Sequence, residues 1–92
     1  MDRQQFQTEL SRDGFGDAIA GEYAPGRVNP DHTHPFEVRG LVVQGYMAIT
    51  GDGEVQRCGP GDVFVMHCGQ THREEVGPDG CRYLYGSRTL ED

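Results

Sequence analysis

Four histidines occur among the 92 residues, and all of them fall in two short stretches. The first is Gly26-Arg27-Val28-Asn29-Pro30-Asp31-His32-Thr33-His34, and the second is Gly61-Asp62-Val63-Phe64-Val65-Met66-His67-Cys68-Gly69-Gln70-Thr71-His72. Neutral imidazole is the commonest side-chain metal ligand. On an extended chain the side chains alternate with period two, so His32 and His34 point the same way. His72 lies far enough along the chain, beyond a hairpin and a turn, to return beside that pair on a neighbouring strand. Three converging imidazoles hold a divalent transition metal (Zn, Fe, Ni, Mn or Cu) and leave positions open for water or a small-molecule ligand. His32, His34 and His72 are therefore the expected metal ligands. Because imidazole must be neutral to ligate, occupancy is expected to fall below about pH 6.

The other reactive side chains have two readings each. His67 is a fourth ligand or proton shuttle, or else a turn residue at the rim. Glu37 follows His34 closely, but in a regular strand it points to the opposite face; a bulge at Pro35 would re-aim it. Glu37 and Arg39 are two apart and share a face, which suits an ion pair or a contact with a second copy. Tyr46 lines a cavity or packs on the sheet, and Glu37, His67 and Tyr46 are the candidates for proton transfer. Phe36, Val38, Val42 and Met47 form a cavity wall or ordinary core. Cys58 and Cys81 read as buried packing residues and Cys68 as a loop cysteine. In Thr71-His72-Arg73-Glu74-Glu75 the charges alternate along a strand, and its outward members are expected in solvent.

The elements that must place these groups are mostly strands. Asp2 and Gln5 have the spacing of a capping box, which predicts a short helix over Arg3 to Leu10 with Phe6 and Leu10 on one face. Beyond Asp13-Gly14 the helical period disappears. Extended segments are predicted over Phe15 to Tyr23, His32 to Val38, Leu41 to Thr50, Glu54 to Cys58, Val63 to Met66, Thr71 to Val76 and Cys81 to Tyr85. Ala24-Pro25-Gly26, Gly51-Asp52-Gly53, Gly59-Pro60-Gly61-Asp62 and Gly77-Pro78-Asp79-Gly80 read as the turns between them. Short strands at such spacing predict an all-β sandwich or barrel. With 14 glycines and no repeat, one domain over residues 1–92 is expected, with a helical segment at 1–12.

Charge narrows the partners. The net charge is −7, and the eight basic residues are all arginine, scattered along the chain. Phosphate backbones need concentrated basic surface, so no nucleic-acid partner is expected. No apolar run approaches membrane-spanning length, and no membrane partner is expected. The start Met1-Asp2-Arg3-Gln4-Gln5 lacks the apolar stretch of a secretion signal, and three cysteines form no even disulfide framework. A cytoplasmic protein with reduced thiols is the expectation.

The two histidine stretches resemble the two motifs of the cupins. Gly26, His32, His34 and Gly45 stand at the spacing of the first motif, and Gly61, Gly69 and His72 at that of the second. Pro60-Gly61-Asp62 is also typical of the family. The matched region spans residues 26–76. The resemblance implies a jelly-roll barrel, the double-stranded β-helix, with a metal in its mouth, and small cupins usually pair as homodimers. It also implies a glutamate ligand, but Val38 occupies that position, His67 replaces the motif's proline and Val76 its asparagine. A three-histidine site is thus better supported than three histidines with a glutamate. Three-histidine cupins include metalloenzymes, so a dioxygenase or isomerase acting on an unknown small molecule is one reading. A non-catalytic ligand- or metal-binding module is the other.

Overall fold

A computed structural model describes residues 1–89. One helix precedes six strands: α1 (Arg3–Arg12), β1 (Ile19–Tyr23), β2 (Val28–His32), β3 (Glu37–Gly51), β4 (Glu54–Cys58), β5 (Val63–Met66) and β6 (His72–Arg88). The expected all-β fold with a short N-terminal helix is the one observed.

Two long strands organise the rest. β3 and β6 pair antiparallel along nearly their whole length, from Glu37 opposite Arg88 to Gly51 opposite His72. Each of them takes two different partners on its other edge. β3 pairs β5 through Val38 to Leu41 and β4 through Met47 to Gly51. β6 pairs β2 through His72 to Glu75 and β1 through Cys81 to Tyr85. Two four-stranded layers result, β2-β6-β3-β4 and β1-β6-β3-β5, joined where β3 and β6 pass from one layer to the other.

The crossing point is irregular for a local reason. The register slips between Gly45 and Met47, so Gly77-Pro78-Asp79-Gly80 has no partner on β3. The predicted turn at 77–80 is therefore an excursion within a single strand, not a break between two. Gly45 and Gly80 both have positive φ, 84° and 80°. A Cβ on Gly45 would sit 2.0 Å from the Gly80 carbonyl oxygen, so only glycine permits this approach.

Burial follows the two layers. Val38, Val42, Met47, Ile49, Cys58, Phe64, Met66, Val76 and Cys81 form the core between them. A second cluster, Phe6, Leu10, Phe15 and Leu41, lies on the opposite face of β3, under the helix. Half of the expected capping box forms: the Asp2 carboxylate accepts the Gln5 backbone N–H at 2.8 Å, while the Gln5 side-chain amide donates to Glu9 instead. Phe6 and Leu10 are both fully buried, and each contributes roughly 1.5–3 kcal/mol by leaving water. No helix of the described residues is long and apolar enough to cross a membrane.

Candidate metal centre

β2 delivers His32 and β6 delivers His72 at directly opposed register positions. His34 follows two residues after His32, just past the strand end, where the chain turns into Pro35. Its carbonyl accepts the Gly69 backbone N–H at 2.8 Å, which ties the two histidine stretches together. The ligand-capable atoms of His32, His34 and His72 all lie within 4.8 Å of one another. The structure thus brings together the three histidines expected to converge.

Two of the rings are fixed with Nε2 towards the cluster. His32 Nδ1 lies 2.7 Å from the Pro30 carbonyl oxygen, and His72 Nδ1 lies 3.2 Å from that of Gln70. A carbonyl only accepts, so each Nδ1 carries the proton and donates it. The Nε2 lone pair of each neutral ring is then free, which is how ligating histidines are commonly held. His72 Nε2 is fully buried and has no hydrogen-bond partner. A buried unsatisfied nitrogen costs about 1–3 kcal/mol, and a bound cation would remove that cost. Burial, together with the neighbouring His72 and His32, pushes His34 below the usual histidine range, favouring the neutral form that a metal requires. The donor set therefore fits a divalent transition metal.

One residue at the site was not among the expected ligands. Glu74 is 2% exposed, and its Oε1 lies 3.4 Å from His32 Nε2 and 3.8 Å from His72 Nε2. Burial alternates strictly from His72 to Val76, with Arg73 and Glu75 in solvent. The same period-two rule that pairs His32 with His34 places Glu74 on the face of His72. Within the alternating charged run, it is the inward member.

The other candidates lie elsewhere. Glu37 pairs with Arg88, whose Nη2 donates to Oε2 at 2.6 Å, and no bulge turns it towards the histidines. Arg39 donates to Asp13 rather than Glu37, so the two form no mutual ion pair. His67 is largely exposed and sits 3.9 Å from Glu37, outside the three-histidine group. Tyr46 packs across Gly77 on the sheet surface and is absent from the cavity lining. Cys58 and Cys81 are buried and Cys68 is exposed, all three as free thiols.

Beside the histidines a cavity of about 240 Å³ opens between the two layers. Its walls include Phe36, Val38 and Met47, three of the four apolar residues expected there, while Val42 belongs to the core alone. Tyr23, Tyr83 and Tyr85 face it beside His34 and Glu74. Burial, with Tyr83 and Glu74 nearby, pushes Tyr23 well above the usual tyrosine range. Burial raises Tyr83 as well, although its contact with Tyr23 pulls the other way. Both phenols hold their protons at neutral pH; the Tyr23 O–H is directed to Tyr83 and Glu74, which leaves that of Tyr83 for the cavity.

The cupin domain family matches residues 21–84. No curated protein sequence matches the chain. Solved structures share its fold. KdgF from a Halomonas species is 29% identical with a TM-score of 0.65, over 83% of this chain and 71% of that one. A protein of unknown function from Rhizobium leguminosarum bv. viciae is 24% identical with a TM-score of 0.73, over 92% of both chains. The DMSP lyase DddQ from Ruegeria pomeroyi is 26% identical with a TM-score of 0.71, over 83% of this chain but 40% of that enzyme.

Proposed function

The chain belongs to the cupin family, and from that premise we propose that it is a metal-dependent enzyme acting on a small organic molecule by proton transfer, of isomerase or lyase type. The observation that carries this reading is the convergence of His32, His34 and His72 beside a cavity lined by three tyrosines. A divalent metal held there supplies Lewis acidity to a substrate oxygen. His32 and His72 keep their Nε2 atoms directed at it through the Pro30 and Gln70 carbonyls. Phe36, Val38, Met47 and Phe64 surround the carbon skeleton of the substrate and exclude water. Tyr83, protonated and accepting from Tyr23, donates to developing negative charge on a substrate oxygen. DddQ, 26% identical, is itself a lyase, which supports this class of reaction over dioxygen chemistry.

The apolar side of the same cavity favours a second reading, a module that holds a ligand without transforming it. One experiment separates them. Protein purified without a histidine tag is analysed for metal, stripped with chelator, reloaded, and screened against small hydroxy- and oxo-acids. The enzyme reading expects stoichiometric metal and turnover that is lost in His34→Ala, with metal affinity down roughly 100-fold or more. Binding without turnover across the panel would leave the module.

The proposal includes a homodimer. Ile19, Val28, Val55 and Val63 expose apolar side chains on β1, β2, β4 and β5, the strands at the outer edges of the two layers. Such edges are usually covered. Light scattering should give twice the monomer mass, and a monomer mass at all concentrations would remove this part.

A further inference from the structure

Val38 stands where the resemblance implies a glutamate ligand, and its side chain lines the cavity without any donor atom. We infer that the missing carboxylate has moved to the other motif: Glu74, two residues after His72, is the fourth metal ligand. This rests on the metal-binding reading above.

Asn29 Nδ2 donates to Glu74 Oε2 at 3.3 Å, which leaves Oε1 turned towards the histidines. Oε1 is 3.4 Å from His32 Nε2 and 3.8 Å from His72 Nε2. Two atoms that share a metal at about 2.1 Å are themselves roughly 3.0–3.4 Å apart, from octahedral to tetrahedral geometry. These two separations are at or slightly above that range, so a side-chain rotation of Glu74 would bring Oε1 to a metal held by His32 and His72, beside the three histidines whose donor atoms already lie within 4.8 Å.

Electrostatics points the same way. Both rings donate through Nδ1 to backbone carbonyls, so in their neutral forms both Nε2 atoms present lone pairs. Tyr23 offers one O–H beside the Glu74 carboxylate, but His72 Nε2 still has no partner, and the carboxylate oxygen and the two ring lone pairs remain a convergence of acceptors. One added proton on His32 would satisfy Oε1 but leave the buried His72 Nε2 still without a partner. A divalent cation satisfies all three at once, and the carboxylate offsets one of its two charges.

The alternative role for Glu74 is an ion pair that merely positions a protonated His32, and the two roles separate experimentally. Tag-free protein is stripped of metal and titrated with Co²⁺, followed by calorimetry and by the visible absorption of the bound ion. Glu74→Gln preserves size and the Asn29 hydrogen bond. It should weaken Co²⁺ binding about 10–100-fold and change the absorption bands, because an anionic oxygen has left the ligand set. Glu74→Asp should recover part of the affinity. Without metal, Glu74→Gln should melt at or above the wild type, since its amide donates where the carboxylate could only accept.

Unchanged affinity and spectrum in Glu74→Gln, with both lost in His34→Ala, would overturn the assignment of Glu74 and leave the three-histidine site intact. A metal-free Glu74→Gln that melts below wild type with unchanged Co²⁺ binding identifies the ion pair instead. Wild-type protein that takes up no Co²⁺ would remove both this inference and the reading beneath it. Where Glu74→Gln does not fold, Glu74→Asp decides: a shifted spectrum supports ligation and an identical one overturns it.

Discussion

Two carboxylates of this protein, one at each end of the β3–β6 ladder, sit in opposite electrostatic surroundings. At one end Glu37 meets the Arg88 guanidinium at 2.6 Å, and nearby Asp13 is held between Arg12 and Arg39. Arg39 and Arg88 also lie over the Phe15 ring, at 4.5 and 4.7 Å from its centre. Every acid there has its cation within the fold. At the other end Glu74 is buried against imidazole nitrogens, and among the described residues no arginine pairs with it. The first end is closed by the protein itself, and it anchors α1 and the end of β6. The second end is complete only with something added. The contrast separates charge used for cohesion from charge kept for binding.

Three changes test that division. The largest effect should come from the closed end. Leu10→Ala empties a fully buried position under the helix and should cost about 3 kcal/mol in chemical denaturation, with Co²⁺ affinity unchanged. A parallel loss of affinity would mean that the two ends are coupled. Glu37→Gln should come next, costing about 1 kcal/mol by leaving Arg88 partly unpaired, again with no change in metal binding. This is the opposite of the pattern expected for Glu74→Gln, and matching outcomes would erase the distinction between the two acids.

The smallest effect concerns pH. Hydrogen bonds from Arg12 and Arg39 hold the Asp13 carboxyl well below the usual carboxylate range. A folded-state value below the unfolded one means that the unfolded chain binds the proton more readily. The stabilisation is therefore complete above about pH 4 and is lost as pH falls below it. Asp13 is solvent-accessible, so the contribution is modest. Thermal melts from pH 6 down to pH 3 should show a shallower decline in Asp13→Asn than in wild type. Identical slopes would place the acid sensitivity elsewhere.

Much of the site was readable from spacing because its parts obey local rules. His32 and His34 converge because burial keeps alternating past the end of β2, and Asp2 caps α1 through a four-residue motif. The same periodicity places Glu74 with His72, but a carboxylate in a run of charges resembles a solvated face until burial is known. Partners chosen across the fold were beyond local reading. Glu37 meets Arg88 because β3 and β6 are in register there, and nothing near Glu37 in the chain announces an arginine 51 positions away. The stretch 77–80 has the composition of a turn, yet the strand continues through it. The Gly45–Gly80 approach lets the backbone loop out and resume pairing, a tertiary fact that composition does not carry.

The direct opposition of His32 and His72 has a consequence for the chain as a polymer. An ion bound by His32, His34 and His72 ties together two points roughly 40 residues apart in sequence. A covalent crosslink around a loop of that size would reduce the entropy of the unfolded chain by the equivalent of about 4 kcal/mol. A coordinate bond is reversible, so its effect depends on free metal and is reached by mass action. The ion would then act as a removable staple between the N-terminal and C-terminal halves. The short strand β2, held mainly along one edge of β6, would be the segment most strongly protected from proteolysis and amide exchange.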